Sequence, residues 1–137
     1  MLFSTRITVR FGETDPAGLV YYPNLFHYFH VAMEEFFAAR CGISYQKLMA
    51  DERIGFPTVN ARAEFLIPLV YGDEAEVEVF VSHMGRSSAT FEYSIKRISD
   101  GVLCARATLV QVAMNLDERR SVLIPDRYRN AFAESES

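Results

Sequence analysis

The sequence predicts an α+β fold: a five-stranded antiparallel sheet with one long helix, in one domain spanning 1–137. Three observations carry that expectation. Four segments alternate apolar and polar residues with a period of two, and a fifth is apolar on both faces. One segment, Asn24 to Arg40, instead places apolar residues at three- and four-residue steps. Length and composition agree, since 137 residues fit one domain and a 50% hydrophobic content can bury a core.

The first alternating stretch puts Phe3, Thr5, Ile7, Val9 and Phe11 on one face, against Arg6, Thr8 and Arg10. A turn follows. The helical stretch then carries Phe26, Phe29, Met33, Phe36 and Phe37 as an aromatic stripe, with Pro23 near its start and Gly42 past its end. A short second helix, opened by Ser44, is expected over Tyr45 to Ala50. Pro57 to Ile67 alternates with Val59, Ala61, Ala63, Phe65 and Ile67 together. Ala75, Val77, Val79 and Val81 form the next inward face, and Ala89, Phe91, Tyr93 and Ile95 the one after. The last long strand, Gly101 to Met114, is apolar on both faces apart from Arg106, which suggests a central strand. Asp100-Gly101 and Gly72-Asp73 mark turns. A short amphipathic helix is expected after Pro125, and 132–137 read as a frayed tail.

A net charge of −4 argues against a nucleic-acid partner, because phosphate contacts need a concentrated basic surface. Cys41 and Cys104 show no paired spacing and read as reduced thiols of a cytoplasmic protein. No apolar run is long enough to span a membrane, so no membrane partner is expected. One helix cannot cover both faces of such a sheet. A strand apolar on both sides therefore calls for a second copy of the chain.

The most informative stretch is "FGETDPAGLVYYPN", Phe11 to Asn24. On the residues alone, Asp15 before Pro16 is either turn punctuation or a carboxylate placed beside a helix start. The amides of that helix start need acceptors and can polarise a substrate carbonyl. A carboxylate at the same point can attack the carbonyl carbon or deprotonate a water that does. The order strand, aspartate turn, aromatic helix and four strands, together with this loop, resembles the hotdog-fold acyl-CoA thioesterases of the 4-hydroxybenzoyl-CoA thioesterase family. The resemblance covers nearly the whole chain. Related thioesterases associated with cell-envelope proteins usually carry a histidine where Tyr22 stands, which favours the aromatic-CoA branch.

The resemblance implies a hotdog fold, with the sheet wrapped around the long helix. It also implies a homotetramer built as a dimer of dimers, with sites at the dimer interface. It gives Asp15 the role of catalytic carboxylate, acting as nucleophile or general base, and the Tyr22 backbone N–H that of oxyanion donor. Gly18 either lets backbone approach the thioester or serves a turn needing positive φ. Asn24 either caps the helix or orients the loop, with capping expected. Arg86, Ser87 and Ser88 are expected along the CoA moiety of the substrate, so CoA is substrate and no separate cofactor is expected. His27, His30 and Glu34 share a helical side, but without a metal-binding motif no metal is expected. Glu34 and Glu35 leave open a helix-borne carboxylate. The implied activity is hydrolysis of an acyl-CoA thioester, on an aromatic acyl group. Alternatives are a short or medium aliphatic acyl-CoA or acyl carrier protein substrate, and a non-catalytic acyl-thioester-binding module.

Overall fold

In the computed structural model, which describes residues 2–136, the chain opens with β1 (Phe3–Thr8), α1 (Pro23–Arg40) and α2 (Tyr45–Lys47). β2 (Ile54–Gly55), β3 (Thr58–Phe65), β4 (Glu74–Met84), β5 (Ser88–Arg97) and β6 (Leu103–Val112) follow. β7 (Met114–Asn115), β8 (Arg120–Ser121) and α3 (Asp126–Ala133) complete it. The five long strands form one sheet in the order β1-β4-β5-β6-β3, every neighbouring pair antiparallel.

Alternation becomes burial because successive side chains leave a strand on opposite faces. Val77, Val79, Phe91 and Ile95 are fully buried on the inner face. The aromatic stripe of α1 lies against them. Phe29 packs 5.2 Å from Tyr93 and Phe36 6.3 Å from Phe91, ring to ring. α1 lies mainly against β4 and β1. Gln111, a polar side chain deep in this layer, is satisfied: its Nε2 donates to Phe56 O (2.9 Å) and its Oε1 accepts from Tyr93 OH (3.0 Å).

The structure corrects several expectations. β1 ends at Thr8, and Phe11 is 75% exposed because Gly12 and the 3₁₀ turn Phe11–Glu13 carry it off the sheet. The central strand is β5; β6 is interior but one place from the edge. The second helix is shorter than expected. α2, capped by Ser44 Oγ accepting from Lys47 N–H (3.1 Å), passes into a π turn, Leu48–Glu52, ended by Arg53 at φ 55°. A small sheet, β2-β7-β8, escaped the sequence reading because two-residue strands show no period. The apolar face of β3 is the largest departure. Val59, Ala61 and Phe65 are exposed, since β3 is an edge strand that α1 meets only at its Phe65 end, where the Phe26 ring lies 6.4 Å away.

The expected frayed tail is ordered as far as Ser135. Phe132 is fully buried, and the Ser135 hydroxyl accepts from Val81 N–H (2.8 Å) at the bulge in β4. Glu136 is exposed, and Ser137 lies outside the described residues. Phe132 meets the rings of Phe36, Phe37, Phe56 and Phe91 at 5.4–6.1 Å. Phe132→Ala is therefore expected to cost about 3–5 kcal/mol, the range for emptying a buried aromatic site. Urea unfolding measures it; a midpoint equal to that of the unaltered chain would show that α3 is not part of the core.

Candidate active site

The loop between β1 and α1 is a small hairpin of its own. Thr14 and Val20 form an antiparallel bridge. The turn between them is closed by Asp15 N–H donating to Leu19 O (2.8 Å) and Gly18 N–H to Asp15 O (2.9 Å). Gly18 sits at φ +82° with nothing within 4 Å of where a Cβ would stand, so conformation rather than crowding requires glycine there. The Val20 N–H donates to Leu69 O (2.8 Å), pinning the hairpin to the segment between β3 and β4. Asp15 is half-buried. Its Oδ1 accepts from Ala17 N–H (2.9 Å), while Oδ2 has no hydrogen bond among the described residues. The local turn thus holds one carboxylate oxygen and leaves the other available.

α1 begins directly after Tyr22, whose backbone N–H has no acceptor among the described residues. Pro23 contributes no N–H, so the exposed donor at this helix start is that of Tyr22. Asn24 does not cap the helix. Pro23 at the first position draws Asn24 inside the first turn, and its side-chain amide donates back to Glu13 O (2.9 Å). It orients the loop instead.

Asp15 and Tyr22 line one cavity of about 340 Å³, with Leu25, Phe65, Leu66 and Ile67 among its walls. The Tyr22 ring lies 5.9 Å from Phe65 across its mouth. The lining is apolar apart from Asp15, the tyrosine hydroxyls and Cys104. Burial pushes the Cys104 thiol up, so it is a poor source of thiolate and no rival to the carboxylate as nucleophile. Glu34 and Glu35 are exposed on α1 and line no part of this cavity.

Two residues of this region carried no signal in the motif reading. Tyr28, 2% exposed, donates its hydroxyl to Glu13 Oε1 (2.7 Å). Its phenol is pushed up, first by burial and then by that hydrogen bond, and stays protonated. A tyrosine one turn after Asn24, within a phenylalanine stripe, is the feature that could have flagged it.

Arg86, Ser87 and Ser88 are not brought to this cavity. They follow the far end of β4, an 11-residue strand that begins beside the loop, so about 35 Å of strand separates them from Asp15 in one protomer. Arg86 borders a second, open cavity of about 590 Å³ with Met84, Leu123 and Arg129, which Ser87 and Ser88 do not line. Arg86 is exposed, and its carbonyl accepts from Ile124 N–H (3.0 Å) and from the Arg129 guanidinium (2.9 Å). Arg129 fixes the backbone of this segment through the Gly85 and Arg86 carbonyls.

A sheet closed around one long helix, with a carboxylate loop at the start of that helix, defines a hotdog thioesterase domain. The thioesterase-like superfamily model matches residues 9–132, and the chain belongs to that family. Among its relatives is the 4-hydroxybenzoyl-CoA thioesterase of Pseudomonas sp. (strain CBS-3), 32% identical over 88% of this chain and 89% of the relative. Another is the 1,4-dihydroxy-2-naphthoyl-CoA hydrolase of Nostoc punctiforme, 30% identical over 92% of this chain and 83% of the relative. A crystal structure of an aspartate-to-asparagine mutant of 4-hydroxybenzoyl CoA thioesterase, complexed with 4-hydroxybenzoyl CoA, superposes with a TM-score of 0.85. It is 27% identical, covering 95% of this chain and 97% of that one. The chain is accordingly a thioesterase-family enzyme. No helix among the described residues is long and apolar enough to cross a membrane.

Proposed function

We propose that this enzyme hydrolyses an acyl-CoA thioester with an aromatic acyl group, releasing CoA and a carboxylic acid. The observation that carries the proposal is the pairing of Asp15 with the unpartnered Tyr22 N–H in one apolar cavity. The acyl group occupies the cavity beside Tyr22 and Phe65, whose rings favour an aromatic face. The thioester carbonyl points its oxygen at the Tyr22 N–H, where the positive end of α1 adds to the stabilisation of a developing oxyanion. Asp15 Oδ2 either attacks the carbonyl carbon or takes a proton from the attacking water. The C–S bond then breaks and the thiolate leaves without needing a strong acid, since a thiol is far more acidic than an alcohol. CoA belongs to the substrate, and the scheme uses no further cofactor. That a relative bearing an aspartate-to-asparagine mutation was crystallised with its acyl-CoA supports a carboxylate at the reacting centre.

Arg86 enters this scheme through a second copy of the chain. If two β3 edges pair antiparallel about a two-fold axis, the loop end of one protomer lies on the same side of the joined sheet as the far ends of its partner's β4 and β5. From β3 to the partner's β5 is three strand spacings, about 15 Å. That is within the span of a pantetheine arm, so Arg86, Ser87 and Ser88 of a partner are placed to meet the CoA phosphates, which a guanidinium recognises well. A homo-oligomer, a dimer or dimer of dimers acting in the cytoplasm, fits this arrangement.

A thiol-release screen over benzoyl-type, short-chain and long-chain acyl-CoAs tests the substrate class. Aromatic thioesters are expected to give the highest kcat/KM, and a clear preference for aliphatic chains would overturn the aromatic assignment. Single-turnover hydrolysis in ¹⁸O-water separates the two roles of Asp15. Label recovered in its carboxylate marks the nucleophile, and label confined to the product acid marks the general base.

A further inference from the structure

We infer that Glu13 is a positioning residue for the Asp15 carboxylate, held by a hydrogen bond from Tyr28 of α1. The inference rests on the reading of Asp15 as the reacting group. Four hydrogen bonds converge on Glu13. Its backbone carbonyl accepts from Tyr21 N–H (3.0 Å) and from the Asn24 side chain (2.9 Å). Its Oε1 accepts from Arg10 N–H (2.8 Å) and from Tyr28 OH (2.7 Å). Glu13 is thereby tied to the end of β1, to the returning arm of the loop hairpin, and to the first and second turns of α1.

The consequence is geometric. Tyr22 N–H, the oxyanion donor, sits at the start of α1. Tyr28 belongs to the same helix and is buried, so the two are parts of one rigid rod. Between Glu13 and Asp15 lies only Thr14, extended at φ −104° and ψ 156°, so the two Cα atoms are about 7 Å apart. The chain Tyr28–Glu13–Thr14–Asp15 therefore references the carboxylate to the same helix that carries the oxyanion donor. Hydrolysis needs both groups at fixed places around one carbonyl, and a displacement of ~1 Å can cost ~10²-fold in rate. A hydrogen bond to a carboxylate away from bulk water is of the stronger kind, suited to that task. Neither Glu13 nor Tyr28 lines the cavity, so their action is through Asp15 and not on substrate.

The test combines turnover with amide hydrogen exchange of the loop. Tyr28→Phe keeps the buried ring and deletes only the donor. It is expected to lower kcat about 10- to 100-fold with KM changed by less than about threefold. The Asp15 and Gly18 amides should exchange faster in the same variant. Glu13→Ala should match it. The double variant should be no worse than the poorer single one, because both remove one interaction. Glu13→Gln, whose amide oxygen accepts both side-chain bonds, should restore turnover to within about threefold of the parent. Unchanged kcat in Tyr28→Phe and Glu13→Ala, with or without a loss of thermal stability, would overturn the inference. So would loop amides that exchange at the parent rate, or Glu13→Gln as impaired as Glu13→Ala. Asp15→Asn is run beside them. If it is inactive while Tyr28→Phe is normal, the positioning role alone falls; if Asp15→Asn turns over normally, the Asp15 reading falls and this inference with it.

Discussion

Asp15→Asn is expected to lower kcat for acyl-CoA hydrolysis by roughly 10³-fold, within the span that a positioned acid–base or nucleophilic group contributes. The substitution is almost isosteric. Asn retains an oxygen that can accept the Ala17 N–H, so the turn around Gly18 should keep its shape. What disappears is the charge on the carboxylate and the lone pair on Oδ2, the oxygen with no hydrogen bond among the described residues. Folding and oligomeric state should therefore be unaffected, and KM should change little, because the apolar walls and the Tyr22 N–H still bind the thioester. The measurement is thiol release under saturating acyl-CoA, with sedimentation and a melting curve on the same sample. A variant within tenfold of the parent, correctly assembled, would remove Asp15 from the chemistry. The cavity holds no second carboxylate to take its place, and burial makes its Cys104 thiol a poor nucleophile.

The sheet and long helix were legible in the sequence because both are long enough to show a period. Val77 and Val79 alternate with glutamates, and Phe29, Met33 and Phe36 return at helical steps, so each buried face could be read from spacing alone. The loop was legible as a motif, from Asp15 through Gly18 to Tyr22. Its internal ties were not, because they depend on partners far apart in sequence or on atoms that spacing does not reveal. Asn24 reads as a capping residue, yet Pro23 takes the first helical position and turns the Asn24 amide toward Glu13, eleven residues back. Tyr28 reads as one more aromatic in the stripe, although its hydroxyl reaches a carboxylate fifteen residues away. The apolar face of β3 was legible as a face, but not its exposure. Its alternation is correct, but alternation reports which side is apolar, not what covers it.

What covers that face is the basis of the second large prediction: Ala61→Glu should convert the protein to a monomer and reduce turnover by at least about 100-fold, the order of loss expected when substrate contacts are misplaced. β3 forms one border of the sheet with β6 on a single side, so its outer backbone groups are unpaired by any strand. Along and just beyond it Val59, Phe65, Leu66 and Ile67 are 42–61% exposed. Natural edges of this length are normally blunted by bulges, prolines or charges, and a long apolar one serves as a pairing surface. The inner-face residues Ala61, Ala63 and Phe65 stand opposite Leu109, Ala107 and Ala105, so a strand added to this edge would continue the buried layer outward. A second copy supplies a strand of matching pattern, and a two-fold axis pairs the two β3 edges with each other, leaving β1 as the border of the joined sheet. A glutamate at 61 places a charge in that layer twice, once from each copy, and charges opposite one another across strands are destabilising. In the isolated chain position 61 is exposed, so the monomer itself should keep its fold and melting temperature. Sedimentation and turnover on the same preparation decide the matter. A parent protein that is a fully active monomer would break the link between this edge and the site. A monomeric Ala61→Glu with undiminished turnover would show that Asp15, Tyr22 and the CoA contacts need only one chain.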